Sequence, residues 1–344
     1  MSPLAFLVPG SLATVSGGYG YDRAIIGGLR GLGHTVAAIE LAGQHPLPDE
    51  VARDAAREAW ASLAPGTIPV IDGLGLPAFA ACAAEFAARG AVGLIHHPTA
   101  LEAGRTDAAR DALRAIEREL FPALPRIIVT SPYTAERLAK DFGVDPAAIR
   151  VVVPGTAPAA RCPGSGGPGC NVLALGAYIP RKGHDLLIRA LARLFDLDWH
   201  LTIAGPGLGS AHADSLRALA AELGVTRRVT FLAELVDAEL DALWASTDIF
   251  ALATQFEGYG MAIAEALRRG LPVAITNGGA AGALVTPEAG IVCEVGDLVT
   301  FSKAIRRLIF DLPLRASVAE AAWTLGQRLP DWPAQAAAFA AALA

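Results

Sequence analysis

Short apolar runs alternate with amphipathic segments at the start of the chain. Residues 4–8 are apolar and end in a Pro-Gly pair, and residues 21–32 carry apolar side chains at helical spacing before Gly33. Residues 35–41 form a second apolar run. A strand, a glycine-rich loop, a helix and a strand in this order predict a βαβ unit, in which a right-handed crossover joins parallel strands.

The same alternation continues to residue 153. Further strands are predicted at 68–71, 92–95, 126–130 and 150–153, and helices at 77–89 and 107–121. Ser131 stands at the N-cap position of another helix, where a serine oxygen can accept a hydrogen bond from a backbone N–H. The pattern therefore predicts an α/β domain with a doubly wound parallel sheet.

A segment without periodicity interrupts this rhythm at residues 154–170, whose sequence is PGTAPAARCPGSGGPGC. Its Gly and Pro content favours a linker. Beyond it, strands are predicted at 172–177, 200–204, 229–232, 249–253 and 272–275, and helices at 184–195, 211–223, 237–245 and 261–269. This second array predicts a second doubly wound domain.

The chain is therefore expected to form two Rossmann-like domains, 1–160 and 171–328, joined by a linker at 161–170. The sequence LPDWP interrupts the helical pattern from residue 329, and an Ala-rich helix follows it. We expect the segment 329–344 to cross back onto the first domain. Ligands of doubly wound sheets bind beyond the carboxyl ends of the strands, and we expect these ends to face each other across a cleft.

Composition narrows the class of protein. Hydrophobic residues make up 53% and charged residues 18% of the 344 residues, which is typical of globular domains. No apolar run reaches the length of about 18 residues that a membrane span needs. A net charge of −6 without a Lys/Arg cluster argues against a nucleic-acid partner.

The cysteines and the N-terminus bear on the compartment. Cys82, Cys162, Cys170 and Cys293 form no CxxC pair, so metal and redox sites are not indicated. A bridge between the second and third of them is an alternative to the favoured free thiols of a reducing cytosol. The N-terminus lacks the basic region of a signal peptide and reads as a buried strand. These features predict a cytoplasmic protein.

A row of arginines on one predicted helix is compatible with peripheral membrane contact. Arg110, Arg114 and Arg118 follow one another at i, i+4 spacing and could meet anionic lipid. Asp and Glu residues are interleaved with them, which favours ion pairs on a solvated helix face instead.

The segment FEGYGMAIAEA at 256–266 carries the strongest chemical signal. It follows a predicted strand and opens a predicted helix, whose first N–H groups and dipole favour an anion. Gly258 and Gly260 let the backbone approach a ligand closely. Carboxylates such as Glu257 and Glu265 accept hydrogen bonds from vicinal hydroxyls, so a diphosphate between a ribose and a sugar suits the segment.

A second motif, GAYIPRKG at 176–183, also joins a predicted strand to a predicted helix. Arg181 can hold a phosphate through two parallel hydrogen bonds, and Lys182 adds a point charge. At the carboxyl edge of the sheet, both would neutralise the charge that develops on a leaving diphosphate.

Together these motifs resemble those of glycosyltransferase family 4, whose members have the GT-B fold and use nucleotide sugars. Glu257 and Glu265 match the paired-glutamate motif of that family, and Arg181 and Lys182 match its donor-phosphate pair. Weaker matches are the strand and glycine turn LTIAGPG at 201–207, which contains Gly205, the segment VVVPGT at 151–156, and the glycine pair Gly17-Gly18.

The resemblance implies a role for each matching residue. Glu265 would bind the ribose, Glu257 would contact the donor sugar, and Gly18 would approach the β-phosphate from the other domain. The remaining donor-binding residues would be Gly17, Arg181, Lys182, Gly205, Gly258, Tyr259, Gly260 and Met261.

The resemblance also implies a retaining reaction without a metal or other cofactor. Most members need no divalent cation because Arg and Lys replace it, and no Asp-x-Asp motif stands at a strand end here. Attack from the front face, with the leaving phosphate helping to deprotonate the acceptor, requires no enzymatic nucleophile.

Two histidines follow a predicted strand of the first domain. Family members often place a histidine against the donor sugar at this point, and His97, which is nearer the loop, is favoured over His96. We therefore expect His97 to act with Glu257, Arg181 and Lys182 in catalysis. Glu102 has two possible interpretations: it faces the acceptor, or it is a carboxylate at a helix start.

One departure keeps a second function in view. The family often has Gly-Gly-x-Pro-Glu where residues 277–283 read NGGAAGA. The leading hypothesis is a glycosyltransferase that moves a sugar from a UDP- or GDP-sugar to a saccharide, a lipid-linked or a small-molecule acceptor. The alternative is a non-catalytic or partner-dependent nucleotide-sugar binding subunit.

Overall fold

The computed structural model describes residues 2–102 and 105–343 and divides into two compact units. The first unit comprises Met1–Gly155 and Pro330–Ala344, and the second comprises Thr156–Leu329. Each unit contains one six-stranded sheet whose paired strands are parallel. The predicted α/β class with two doubly wound sheets is therefore confirmed.

Strands alternate with helices in the first unit, which also includes the last helix of the chain. Its elements are β1 (Leu4–Pro9), α1 (Gly17–Gly31), β2 (Val36–Leu41), α2 (Glu50–Ser62), β3 (Ile68–Asp72), α3 (Phe86–Arg89), β4 (Val92–Ile95), α4 (Asp107–Ala123), β5 (Arg126–Val129), α5 (Pro132–Phe142), β6 (Ile149–Val151) and, at the end of the chain, α12 (Trp332–Leu343). The strand order is β2-β1-β3-β4-β5-β6, so the winding reverses between β1 and β3.

The interior strand β1 shows why this sheet is covered on both faces. All of its residues are buried. Ala5 and Leu7 lie in one hydrophobic cluster, whereas Leu4, Phe6 and Val8 lie in another. Because successive side chains of a strand point to opposite faces, a continuous apolar run can contribute to a core on each side.

The last helix of the chain packs against α1 in the first unit. The rings of Phe339 and Phe6 stack with their centroids 5.8 Å apart. Gly28 makes room for this contact, because a Cβ atom at that position would lie 2.4 Å from Cβ of Ala336. The Arg126 guanidinium donates to the carbonyl oxygen of Leu343 near the end of α12. The prediction that the C-terminal helix packs on the first domain is therefore confirmed.

The second unit is also doubly wound, with helices between its strands. Its elements are β7 (Cys170–Leu175), α6 (His184–Ala192), β8 (Trp199–Ala204), α7 (Ala211–Glu222), β9 (Val229–Leu232), α8 (Asp237–Ala245), β10 (Ile249–Leu252), α9 (Met261–Arg268), β11 (Val273–Thr276), β12 (Gly290–Cys293), α10 (Leu298–Phe310) and α11 (Leu312–Gly326). The strand order is β12-β11-β10-β7-β8-β9. Strands β7 and β10 are therefore neighbours, although three helices and two strands separate them along the chain.

Some elements differ from the sequence prediction. Helix α1 begins at Gly17 and not at residue 21, because the Ser16 side chain accepts a hydrogen bond from Tyr19 N–H and caps the helix earlier. The segment predicted as a helix at 77–89 is mainly 3-10 helix, Leu76–Glu85. Helices α2, α10 and α11 and strand β12 are additional to the prediction, although Asp49 is a readable N-cap for α2.

Residues 156–169 have no regular structure and belong to the second unit. Cys162 N–H donates to the Arg269 carbonyl, which attaches this segment to the end of α9. The Arg268 guanidinium donates to the carbonyl oxygens of Thr156 and Leu329, at 3.2 and 2.6 Å. One buried arginine thus ties the first and last residues of the unit to α9.

Two further properties bear on the sequence expectations. None of the helices among residues 2–102 and 105–343 has the length and apolar character needed to cross a bilayer. The four cysteines are free thiols, so Cys162 and Cys170 are not bridged.

The contact between α1 and α12 can be tested with two adjacent glycines. Gly28→Ala should lower the free energy of unfolding by about 1–3 kcal/mol, because the new methyl group overlaps Ala336. Gly27→Ala is the matched control, because a Cβ there meets no atom within 4 Å and should stabilise the helix by up to about 1 kcal/mol. Urea unfolding of both variants measures the difference, and equal stabilities would contradict the contact.

Candidate functional site

The two motifs singled out in the sequence meet at one edge of the second sheet. Strand β7 precedes the turn that carries Arg181 and Lys182, and β10 precedes the turn that carries Glu257. The two strands pair in parallel, with Ile249 beside Val172. Because parallel neighbours end at the same edge, both turns emerge side by side.

A buried histidine shapes the turn after β7. His184 Nε2 lies 3.3 Å from the carbonyl oxygens of both Gly176 and Ala177. Burial lowers the pKa of His184 to about 4, so the ring is neutral and donates to these carbonyls. Gly183 has a φ of +63°, and a Cβ there would lie 1.9 Å from the Ala253 carbonyl oxygen. Only glycine permits this approach between the two turns.

The turn after β10 is held from both sides by backbone hydrogen bonds. Gln255 N–H donates to the Arg181 carbonyl at 2.8 Å, which links it to the turn after β7. Glu257 N–H donates to the Gly278 carbonyl at 3.0 Å, and Ala280 N–H donates to the Glu257 carbonyl at 2.8 Å. Gly278 and Ala280 of the segment NGGAAGA therefore hold the backbone of Glu257 from both sides.

The Glu257 carboxylate joins the two motifs by charge. Its Oε1 atom accepts a hydrogen bond from Lys182 Nζ at 2.6 Å and lies 3.0 Å from Thr254 Oγ1. Arg181 Nη1 lies 3.9 Å from the same oxygen and donates to the Phe256 carbonyl at 2.6 Å. Burial alone would raise the pKa of Glu257, but the two cations and the two hydrogen bonds lower it below its ordinary value. Glu257 is thus ionised and holds both cations in place.

The N-terminus of α9 offers unused hydrogen-bond donors. Gly260 has a φ of +108° at the N-cap and provides no side-chain cap. Within the described part of the chain, the N–H groups of Gly258, Tyr259, Gly260 and Met261 make no hydrogen bond. Together with the helix dipole, these donors favour an anion at this turn.

Glu265 lies one turn into α9 and is half-buried. Burial raises its pKa above the ordinary value of a glutamate. No described residue donates a hydrogen bond to its carboxylate, which therefore has capacity for an external hydroxyl.

Two other predicted site residues are closely packed. Tyr259 is buried. Gly205 packs so closely that a Cβ there would lie 2.2 Å from the Gly176 carbonyl oxygen.

In the first unit, Gly17 and Gly18 form the start of α1 beside His96. A Cβ at Gly18 would lie 3.4 Å from His96 Cδ2. His96 Nε2 lies 3.2 Å from Asp22 Oδ1 and 3.3 Å from Asp72 Oδ2. The structure therefore groups His96 with the glycine pair and with two buried aspartates.

His97 faces different partners. Its Nε2 atom lies 3.9 Å from Oε1 of Glu102, whose other oxygen accepts a hydrogen bond from Arg105 at 2.5 Å. Helix α4 is capped by Thr106 and starts at Asp107, so the interpretation of Glu102 as a carboxylate at a helix start is wrong.

A buried glutamate supports the loop that follows the two histidines. Glu117 of α4 accepts hydrogen bonds from Thr99 N–H at 2.6 Å, from Thr99 Oγ1 at 2.7 Å and from Ala100 N–H at 3.2 Å. Burial raises the pKa of Glu117, and these hydrogen bonds oppose that effect. The carboxylate thus fixes the backbone just after His97.

Family models match both units of the chain. The model for glycosyl transferases group 1 matches residues 170–324, and the model for glycosyltransferase family 4 matches residues 23–159. The chain belongs to glycosyltransferase family 4.

Curated relatives carry one activity in their names. The D-inositol 3-phosphate glycosyltransferase of Mycobacterium sp. strain KMS is 33% identical over 256 residues, which cover 68% of this chain and 58% of the relative. That of Mycolicibacterium gilvum is 34% identical over 204 residues, which cover 54% of this chain and 46% of the relative. The chain thus spans about half the length of these relatives.

Solved structures share the fold over nearly the whole chain. Sucrose-phosphate synthase from Thermosynechococcus elongatus superimposes with a TM-score of 0.83 at 18% identity, covering 99% of this chain and 98% of that one. Anabaena HepE, solved in complex with UDP-glucose, gives a TM-score of 0.76 at 18% identity and covers 99% of both chains. Both neighbours support the GT-B fold of this family 4 chain.

Four residues at these sites are not predicted from the sequence. Thr254 directly follows β10, Asp72 ends β3, and Asp22 and Glu117 lie within helices. A polar residue at the carboxyl end of a buried strand is a readable signal, which Thr254 and Asp72 provide. The positions of Asp22 and Glu117 depend on tertiary packing, which no local pattern reveals.

The first unit contains the one group of described side chains with spacing that could suit a metal ion. Single ligand atoms of Asp22, Asp72 and His96 all lie within 4.8 Å of one another. Among the described residues, no such group lies at the turns after β7 and β10 in this family 4 chain. Those turns carry cations instead.

Removing one partner of the buried ion pair should destabilise the second unit. Lys182→Met should lower the free energy of unfolding by about 2–3 kcal/mol at neutral pH, because it leaves the Glu257 carboxylate poorly compensated. A lowered pKa contributes stability above the unfolded value of 4.5 that is lost as the pH falls. The difference from the unmodified protein should therefore shrink in acid. Lys303→Met, on the exposed face of α10, is the control, and equal losses in both variants would contradict the pair.

The role of Glu117 can be tested by hydrogen exchange. Glu117→Gln presents an amide group to the N–H donors of Thr99 and Ala100, and should cost about 1–3 kcal/mol and accelerate exchange at both amides. Glu119→Gln, two residues further along the same helix and exposed, is the control. Unchanged exchange at both amides in Glu117→Gln would show that the loop is held by other contacts.

Proposed function

We propose that this chain is a retaining glycosyltransferase that takes a sugar from a nucleotide diphosphate sugar. The observation that carries the proposal is the convergence, at one sheet edge of the second unit, of two cations and a row of N–H groups that make no hydrogen bond within the described part of the chain. Such a site matches a diphosphate in charge and in hydrogen-bond geometry. The second unit then binds the donor, and the first unit provides the acceptor side.

Arg181 and Lys182 are proposed to hold the diphosphate. Both side chains are already fixed beside the N-terminus of α9, by Phe256 and Glu257. Donors that are oriented before the reaction stabilise the charge on a leaving phosphate without reorganisation. The fixed cations would supply the charge that a divalent metal supplies elsewhere, so we propose a metal-independent reaction.

The two glutamates are proposed to bind the two sugars. The Glu265 carboxylate accepts no hydrogen bond from a described residue and would accept hydrogen bonds from the ribose hydroxyls. At Glu257, Oε1 carries the hydrogen bonds to Lys182 and Thr254, so Oε2 is the atom for a hydroxyl of the transferred sugar. Attack from the front face then needs no nucleophile from the protein.

The acceptor and the donor sugar can be narrowed by testing specific compounds. The relatives are named for inositol 3-phosphate, which makes a small phosphorylated polyol the first acceptor to test. HepE is solved with UDP-glucose, which makes that donor the first to test. Saccharides and lipid-linked sugars are the other acceptor classes within the proposal.

Donor binding should depend on Glu265. Glu265→Ala should weaken UDP-glucose or GDP-sugar binding roughly tenfold or more, because the ribose loses a charge-assisted acceptor. Glu222→Ala, at the exposed end of α7, should bind like the unmodified protein. Calorimetric titration in EDTA measures the dissociation constants of both variants. In the unmodified protein, a donor at 100 times its Kd should also raise the free energy of unfolding by about 2.7 kcal/mol.

The same titration separates the two functions that the sequence leaves open. Binding together with sugar transfer supports the enzyme, whereas binding without transfer to any acceptor class supports a nucleotide-sugar binding subunit. Equal affinities of Glu265→Ala and Glu222→Ala would contradict the assigned donor site. A strict requirement for a divalent cation would contradict metal independence.

A further inference from the structure

A buried charged cluster in the first unit is not explained by the donor site. Asp22 of α1, Asp72 at the end of β3 and His96 after β4 converge on one nitrogen, Nε2 of the imidazole. The aspartate side chains are 0% and 8% exposed, whereas that of His96 is 19% exposed. The ring is therefore the part of the cluster that reaches the surface.

Charge balance identifies the state of the ring. Two buried carboxylates at this distance repel each other unless a cation lies between them. Burial alone would lower the pKa of His96, but Asp22 and Asp72 raise it to about 10. Burial raises the pKa of Asp22 to about 6, which its contact with His96 opposes. At neutral pH the ring is an imidazolium between two carboxylates.

Among the described residues, the surroundings of the ring add no second cation. Tyr21 of α1 meets the ring edge-on with centroids 5.3 Å apart, and its hydroxyl donates to the Val152 carbonyl. Tyr19 donates to the Pro9 carbonyl, and its pKa is raised to about 12 by burial and by Asp72, Asp22 and Glu40. His45, which interacts with Asp72, has its pKa lowered by burial and adds no cation at neutral pH. The described groups that act on the cluster are thus neutral or acidic, so the imidazolium is its counter-charge.

The ring is fixed in orientation as well as in charge. The hydroxyls of Thr130 and Thr134 lie 3.0 and 3.3 Å from the His96 carbonyl oxygen. With Nε2 facing the carboxylates, Nδ1 makes no hydrogen bond to any described residue. Gly18 lies against the same ring, and the N–H groups of Gly17 and Gly18 are also without a hydrogen bond within the described chain. Three N–H donors are thus available at the start of α1.

We propose that Asp22 and Asp72 are positioning residues that hold His96 as an oriented imidazolium, whose Nδ1–H binds a phosphate or sugar oxygen of a substrate beside Gly17 and Gly18. The inference rests on the proposed function. It assigns the charge of this site to two aspartates that do not themselves touch the substrate. An imidazolium donor binds an anionic oxygen more strongly than a neutral imidazole does.

The charge state can be measured without any substrate. In ¹⁵N-histidine-labelled protein, the His96 signals, assigned with His96→Gln, should remain those of an imidazolium up to about pH 9. In Asp72→Asn, and in Asp22→Asn, the midpoint should fall toward the ordinary 6.5. Asp54→Asn, on the exposed face of α2, should leave it unchanged, and Asp72→Glu should restore it in part. A midpoint near 6.5 in the unmodified protein would overturn the proposal.

Kinetics then test the consequence for the substrate. The KM of the unmodified enzyme should be flat between about pH 6 and pH 9, whereas that of Asp72→Asn should rise roughly tenfold as the ring loses its proton. His96→Gln should have a raised KM that does not depend on pH. A merely structural role would lower stability in Asp72→Asn without a new pH dependence, which would overturn the proposal.

The choice of ligand identifies which oxygen is bound. Weaker binding of UDP in Asp72→Asn at about pH 9 indicates a phosphate of the donor. A loss confined to UDP-glucose indicates the sugar, and a loss confined to inositol 3-phosphate indicates the acceptor. No loss with any of the three overturns the proposal. Stoichiometric zinc in the purified protein that disappears in Asp22→Asn would also overturn it, because a metal would then occupy the place of the proton.

Failure of the proposed function would look different. If the unmodified protein binds no nucleotide sugar and transfers no sugar, the donor assignment fails, while the ¹⁵N titration still decides whether the aspartates hold the imidazolium. If donor binding and transfer are normal but the titration and the KM profile of Asp72→Asn are unchanged, only the positioning role fails.

Discussion

The parallel pairing of β7 with β10 is the constraint on which the candidate donor site depends. It brings together two turns that lie far apart along the chain. These turns form a single site only because their backbones pack closely against each other. Gly183 permits this approach, and Gly278 permits the segment after β11 to approach the turn after β10 in the same way, since a Cβ at either position would overlap that turn. The glycines therefore serve packing between turns as much as contact with a ligand.

Charge then completes what the backbone begins. Glu257 is buried, ionised and bonded to Lys182, so the cation is oriented before any ligand arrives. A buried ion pair adds little net stability, but breaking it leaves an uncompensated charge. In the proposed reaction the two carboxylate oxygens of Glu257 have different roles. Oε1 holds the cation, and Oε2 is left to bind a hydroxyl. The first unit uses a related arrangement, in which two carboxylates hold one imidazole.

The sequence supports the order of strands and helices and the location of the main motif, because glycine turns, N-caps and apolar runs are local signals. It places Arg181, Lys182, Glu257 and Glu265 at two strand-to-helix turns. It does not reveal that Lys182 bonds Glu257, because that contact depends on which strands are neighbours. For the same reason, Asp22 and Asp72 are invisible as partners of His96. Helix α1 begins earlier than predicted because a serine cap outweighs the poor helix propensity of the glycines that follow it.

A crystal structure of the protein with UDP, grown in EDTA, tests the central claim most directly. The account predicts diphosphate oxygens within hydrogen-bond distance of Arg181, Lys182 and the N–H groups of Gly258–Met261, with the ribose hydroxyls on Glu265. A diphosphate bound away from the N-terminus of α9, or no nucleotide at a saturating concentration, would contradict it.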